Sequence, residues 1–457
     1  MSRADPSEAA AFLAKHPDCT SIDVVLTDAH GIGRGKMIRR HELEALYASG
    51  RNMPVSMFGL DVGGEDVEAT GLVLTDGDAD RTCWPVPGTL GLQPHTDPLR
   101  GQVLITMHEL DGAPFAADPR HALRRQVDAA VAEGFHPKGA FEVEFYLLDR
   151  ELGPDGRPRP ARYPLTGRRS DGYNTYTVDE LDEMSPLFAA IYDGAAALGL
   201  PLETLISEYA PGQYELTLRY GDLLAAADHL VMTKRLIRSV ARRHGAEACF
   251  MAKPFGRTAG SGMHLHLSLA DAAGANLFAD AGEGGFRPLM LSAIAGVQST
   301  LAETMAILAP FANSWRRFAS TVYSPVSTAW GVNNRTVALR VPATGPKARH
   351  FEHRVAGVDA NPYLVAAVTL AGARKGIREG ADPGPPVEGN GYAEPGRGQG
   401  LPRDWLSAIE LAEASPFVRD ALGPLLHKGF IAMKKAEWSR LQAEVSDVEW
   451  RLYGSVV

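Results

Sequence analysis

The segment Gly260-Ser261-Gly262-Met263-His264-Leu265-His266-Leu267-Ser268-Leu269 leaves the backbone little choice. Small, permissive residues lead into strict alternation. Met263, Leu265, Leu267 and Leu269 share one face of a strand, while His264, His266 and Ser268 share the other. Such a strand has one side in a core and presents two imidazoles on the opposite side. Taken alone, the pair reads as histidines on a solvated face. Four further polar segments of similar build move the reading towards a cleft.

Phe141-Glu142-Val143-Glu144-Phe145 sets two carboxylates on one strand face, which is costly unless cations neutralise them. The stretch Glu208 to Glu215 places a carboxylate at each end of a Pro211-Gly212 turn. Arginines follow in Asn313-Ser314-Trp315-Arg316-Arg317 and between Asn333 and Arg340. Arg335 and Arg340 are an odd number of residues apart, so both serve one site only if one lies in an adjoining loop. In Phe351-Glu352-His353-Arg354, Glu352 and Arg354 share a face if extended. Several carboxylates with one or two imidazoles form an oxygen-rich donor set, which suits Mg²⁺ or Mn²⁺ better than zinc. Neighbouring guanidiniums grip phosphate and carboxylate groups, so the whole points to phosphoryl transfer. Neither a Walker-type loop nor a Gly-x-Ser-x-Gly elbow occurs.

In order, the pattern predicts a helix over 5–15, strands over 21–28 and from 36, a helix over 40–48, and strands over 71–76 and 103–107. These form a β-rich domain over 1–110. Beyond it, helices over 121–134, 186–199, 222–244 and 287–309 accompany the polar strands, with loops over 150–172 and 380–402 and helices thereafter. A formal charge of -9 weighs against nucleic acid as a partner. Three cysteines without metal or redox spacing fit a reducing compartment. With neither a leader pattern nor a run of about 18 apolar residues, a cytoplasmic protein with no membrane partner is expected.

Read together and in this order, these motifs resemble the glutamine synthetase family, nearest its γ-glutamylpolyamine (γ-glutamylputrescine) synthetase branch. Their carriers are Glu142-Val143-Glu144, Pro211-Gly212-Gln213-Tyr214-Glu215, Lys253-Pro254, Gly260 to Leu269, Asn313 to Arg317, Asn334-Arg335 with Arg340, and Glu352-His353-Arg354. The resemblance implies an α+β fold, with a β-grasp domain over 1–110. A catalytic domain over 111–457 would hold a curved antiparallel sheet flanked by helices. It implies rings of subunits, usually a dodecamer, with active sites between neighbours.

By the same resemblance, Glu144, Glu208 and Glu215 hold one metal ion and Glu142, His264 and Glu352 another, giving two or three Mg²⁺ or Mn²⁺ per site. Glu203, His266, Ser268, Arg335 and Arg340 face ATP. Gly260, Arg317 and Arg354 receive glutamate. ATP would phosphorylate the glutamate γ-carboxylate, and an amine would displace the phosphate. Arg335 would steady that acyl phosphate, with Glu208 and Tyr173 as candidates to handle the amine's proton.

The chain departs from the family where ammonium is captured. No carboxylate stands in Met53 to Gly59, the flap glutamate position is Tyr323, and an asparagine before the Gly-Ser-Gly is Ala259. A more apolar entrance, with Pro54, Met57, Tyr323 and Trp330 as its candidates, suits an alkylammonium such as putrescine or another polyamine. The rival readings are an ordinary ammonium-using glutamine synthetase and a non-catalytic scaffold. The filled metal positions disfavour the scaffold. Adenylylation at Tyr392 does not carry over.

Overall fold

The computed structural model describes residues 3–170, 172–279, 285–319, 323–393 and 400–457. Parts of the two expected long loops, residue 171 and residues 394–399, lie outside them.

The first sheet comprises β1 (Ser21–Thr27), β2 (Gly33–Arg39), β3 (Arg51–Pro54), β4 (Asp80–Pro85), β5 (Gly91–Gln93) and β6 (Arg100–His108). Its order is β2-β1-β6-β4-β3, with β5 also on β6. Only β1 and β6 run parallel. β1 is buried along its whole length, consistent with a central strand. The core of this sheet draws on residues between Ala4 and Ala117, with Leu425 packed against it. The strand expected over 71–76 does not form. Gly71 and Gly77 take positive φ, Leu74 sits at φ 59°, and Leu72 and Val73 are buried as a turn rather than as a ladder. The strand at this place is β4 instead.

The second sheet comprises β7 (His136–Asp149), β8 (Leu202–Ser207), β9 (Gln213–Leu218), β10 (Gly221–Asp222), β11 (Ala246–Cys249), β12 (Met263–Ala270), β13 (Trp330–Val332), β14 (Leu339–Val341) and β15 (Phe351–His353). Its order is β13-β14-β15-β12-β7-β9-β8, with β10 and β11 paired to β7. All pairs are antiparallel except β13 with β14.

Behind this sheet lie helices Leu223–Arg243, Pro288–Leu308 and Pro362–Glu379. The last two approach unusually closely. A Cβ on Gly296 would fall 2.1 Å from the Gly372 carbonyl oxygen, and one on Gly376 would fall 2.0 Å from that of Ser292. Pro288–Leu308 is long and apolar enough to cross a membrane by length and composition, yet most of it is buried in the protein core.

Asn361 ties the two halves by donating from Nδ2 to the Asp28 carbonyl at 2.9 Å. A second tie comes from helix Pro424–Ala443. Its buried Lys434 contacts His30 Nδ1 at 3.0 Å and donates to Glu437 at 2.8 Å, and Glu437 accepts the Val62 amide at 3.0 Å.

Candidate active site

The polar face of the second sheet is assembled by register. Glu142 lies opposite His264, Glu144 opposite Glu215, His266 opposite Glu352, and Glu352 opposite Arg340. Their neighbours Phe141, Val143, Met263, Leu265, Leu267, Leu339 and Phe351 are wholly buried on the other face. A one-residue slip would exchange the faces, so the apolar core fixes which carboxylates meet.

His264 Nδ1 stands 3.1 Å from Glu142 and 3.3 Å from Glu352, and its Nε2 is 3.8 Å from Glu144. Among the described residues, two groups converge closely enough to share an ion: Glu142, Glu215 and His264, and Glu142, His266 and Glu352. The family-based pairing drew the groups differently, with Glu144 and Glu208 beside Glu215. Glu144 accepts the Gly262 amide at 2.7 Å on one oxygen, and its other oxygen faces His264. Glu208 is close enough to feel the charge of Glu144 and Arg335.

Electrostatics divide the face in two. Burial raises Glu352, but Arg354 and the two imidazoles outweigh it and hold the carboxyl at about 2. Arg340 also donates to it at 2.8 Å, as does Arg354. Burial likewise opposes ionisation of Glu142, yet the hydrogen bond with His264 and the close imidazole of His266 bring it well below the usual range. On the other side burial and like charge act together. They lift Glu208 to about 7 and Glu215 well above its ordinary value, through Glu142 and Glu144 in particular. Carboxylates crowded to this degree call for a cation. The His266 Nε2 lies 2.9 Å from Glu142 but is not aligned to hydrogen-bond it. Such a buried, unsatisfied nitrogen beside crowded oxygens fits a hard divalent ion.

The glycine loop is held from three sides. Gln213 donates to the Gly260 carbonyl at 3.0 Å, Tyr146 to the Ala259 carbonyl at 2.7 Å, and the Ser261 amide to the Ala252 carbonyl at 2.8 Å. A Cβ on Gly262 would stand 2.7 Å from Arg317 and 2.9 Å from His264, so only glycine fits there.

Residues 116–453 match the family model described as the glutamine synthetase catalytic domain. The chain is 38% identical over 447 residues to gamma-glutamylputrescine synthetase PuuA of Escherichia coli (strain K12), covering 96% of this chain and 93% of that one. The chain belongs to the glutamine synthetase family. It is also 31% identical over 386 residues to glutamate–isopropylamine ligase of a Pseudomonas species, covering 83% of each. A solved structure described as a GmaS/ADP complex aligns with a TM-score of 0.83 at 29% identity, covering 97% of this chain and 98% of that one.

Against this family's pattern the remaining expected residues can be placed. Arg340 is on β14 and Arg335 in the loop before it, which resolves their odd spacing. Arg340 also donates to Asn333 at 2.9 Å, and the Nε atoms of Arg340 and Arg354 are buried without a protein acceptor. Arg317 is buried and donates to the carbonyls of Val355 at 2.7 Å, Ala356 at 3.3 Å and Arg354 at 3.2 Å. It thereby braces the segment that follows β15 and begins with Arg354. The Ser268 hydroxyl pairs with Tyr220 at 2.7 Å. Glu203 sits exposed on the edge strand β8, within an irregularity between Leu202 and Leu205. Tyr173 packs against Tyr209, the residue after Glu208, with ring centroids 5.1 Å apart.

At the mouth, Tyr323 is 56% exposed and lines a cavity of about 500 Å³ with Asn333, Arg335, Val387 and Glu388. Pro54 and Met57 are half-buried at the end of β3 and in the following 3-10 turn, both within the first sheet's half of the chain. Trp330 corrects an expectation. It is only 4% exposed, its indole donates to the Gly384 carbonyl at 2.9 Å, and its ring meets Phe286. It belongs to the core and does not wall the mouth.

Sequence reasoning passed over Glu388, a lone acid in a Gly/Pro-rich stretch with no spacing to mark it. It also passed over His350, whose ring lies 5.0 Å from that of His266. Gln213 was inside a quoted motif, but its role as a brace emerges only from the contacts.

Proposed function

We propose that the amine used by this protein is an aliphatic diamine or polyamine, putrescine foremost. The reaction class follows from the family and its relatives: the chain is an ATP-dependent ligase joining the γ-carboxylate of glutamate to an amine. The observation that carries the substrate reading is the mouth. Tyr323 offers an aromatic face beside Arg335, and Glu388 is the acidic residue lining that cavity. A ring for the alkyl chain and one carboxylate for a distal ammonium suit a diamine better than a small, hydrated ammonium ion. The full-length similarity to gamma-glutamylputrescine synthetase supports the same choice.

In the reaction, the γ-phosphoryl group of ATP moves to a γ-carboxylate oxygen of glutamate, giving γ-glutamyl phosphate and ADP. The amine nitrogen then attacks the carbonyl carbon of that acyl phosphate, the carbon–oxygen bond to phosphate breaks, and the nitrogen loses a proton. Arg340, Arg335 and His266 orient the phosphates, with Glu203 and Ser268 at the nucleotide's end. Arg354, Arg317 and Gly260 position glutamate. Glu208 is the candidate to take that proton, with Tyr173, packed on the neighbouring Tyr209, as the other group that could handle it. Two or three divalent ions, Mg²⁺ or Mn²⁺, held by Glu142, Glu144, Glu208, Glu215, His264 and Glu352, would neutralise charge on the transferring group.

The working form is a cytoplasmic ring, a dodecamer. Residues 1–110 and 111–457 form its two domains, and Pro54 and Met57 face a neighbour's amine site. Phosphate release from glutamate and ATP, across ammonium, methylamine, isopropylamine, putrescine and spermidine, tests the substrate. Putrescine should exceed ammonium in kcat/KM by roughly 100-fold or more, about 2.7 kcal/mol. Equal use of ammonium would return the protein to the ordinary glutamine synthetases.

A further inference from the structure

A cavity of about 540 Å³ opens between the first sheet and helix Leu223–Arg243. None of its lining residues belongs to the site described above. Five of them are basic, Arg100, Lys234, Arg235, Arg238 and Arg242, and none is acidic. Two carboxylates reach this group from behind. Asp23 pairs with Arg235 at 2.6 Å and Arg100 at 3.3 Å, and Glu247 pairs with Arg242 at 3.1 Å.

Arg238 has no carboxylate partner among the described residues, and its guanidinium lies over the Phe250 ring, 4.5 Å from the centroid. Lys234 is buried and donates to the Val358 carbonyl at 2.6 Å. Burial and then Arg238 press Lys234 down to about 7, while burial and then Arg242 lower Arg238. Crowding like charges into a partly enclosed cleft is unfavourable unless a counter-charge joins them. Val25, Ile32, Val231 and Pro362 give the cleft an apolar side, and its volume is that of a small-ligand site.

We propose that this cleft binds a small organic anion carrying two or more negative charges, gripped principally by Arg238. Guanidiniums bind phosphate and carboxylate oxygens through paired N–H groups, so both sources share the chemistry. The cleft also has a short route to the glutamate loop. Val358, whose carbonyl takes the Lys234 ammonium, donates its own amide to the Ser261 carbonyl at 3.1 Å. The adjacent Asp359 accepts from Ser314, three residues before Arg317, at 2.7 Å. Occupancy therefore shifts the KM for glutamate more than kcat.

The test titrates the intact oligomer with inorganic pyrophosphate and, separately, with citrate. Heat of binding and melting temperature are read in metal-free buffer. Wild type should bind at least one probe and melt higher. Arg238→Gln should bind that probe roughly 10-fold or more weakly while keeping wild-type size and anion-free activity. At fixed free Mg²⁺, the probe should move the glutamate KM of wild type and leave that of the variant. Preference for pyrophosphate identifies a phosphate ligand, and preference for citrate a polycarboxylate. Arg242→Gln gives the same reading if Arg238→Gln does not fold. Unchanged affinity in both variants would place the anion on Arg335 and Arg340 and overturn the proposal. Absence of binding by either probe would overturn it too, as would loss of assembly in Arg238→Gln, which would give the cleft to a neighbouring copy.

Discussion

Glu215 and Glu352 are both buried carboxylates on one sheet face, yet their surroundings predict opposite responses to the same substitution. Glu352 balances Arg340, Arg354 and His264, so Glu352→Gln leaves buried guanidiniums without a counter-charge. Breaking a buried pair of this kind costs about 3–5 kcal/mol, and the variant should melt well below wild type in EDTA. Glu215 faces other carboxylates, so Glu215→Gln should melt at or above wild type in EDTA. Saturating Mn²⁺ should then raise the wild-type melting temperature, by about 2.7 kcal/mol of stability per site at 100 times its dissociation constant, and raise that of Glu215→Gln by distinctly less. A lower melting temperature for Glu215→Gln in EDTA would refute the division of charge drawn above. These residues were legible because each lies in an alternating strand. Their opposed environments were not, because they depend on which strands become neighbours.

Strands and helices differed sharply in how far the chain announced them. β7 and β12 alternate cleanly, and their faces could be written down from the letters alone. Helix Pro362–Glu379 was not foreseen, because it is buried almost all round and so lacks a polar stripe. The run over 71–76 misled for the converse reason. Its apolar residues are consumed by a turn between two positive-φ glycines rather than by a strand. The contact between Pro288–Leu308 and Pro362–Glu379 depends on Gly296 and Gly376, where a methyl group would strike backbone. Gly376→Ala should therefore lose about 1–3 kcal/mol in urea unfolding. The ratio of putrescine to ammonium turnover should not change, since this seam lies behind the sheet. A changed ratio would mean that the helices communicate with the mouth.

Stability of the assembled protein should carry the imprint of Lys234. Its ammonium form is disfavoured in the fold, with a value of about 7 against an ordinary 10.5. Between those limits the unfolded chain holds the proton and the folded chain does not, so stability rises with pH from about 7 towards 10.5. Below about 7 both states are protonated and the slope vanishes. Lys234→Met should flatten that rise in a series of thermal melts, and a slope identical to wild type would show that another group produces it. Both halves of the α+β fold could be anticipated from the strand patterns, whereas the basic cleft between them could not. Its members come from β6 and one helix, separated by more than a hundred residues, and no motif joins them.

Lys434 is fully buried and reaches across the chain to His30. The core beneath the first sheet is nearly all encoded between Ala4 and Ala117, so that sheet has what it needs while most of the polypeptide is still being synthesised. The clasp that seats it comes from Lys434 and Glu437, far along the chain from that core. On the ribosome, the early part can be tied through Asn361 first, and gains this second clasp only when the helix bearing those two residues emerges. A nascent chain halted at residue 423 should expose His30 to solvent while keeping the β1–β6 pairing, as amide protection would reveal.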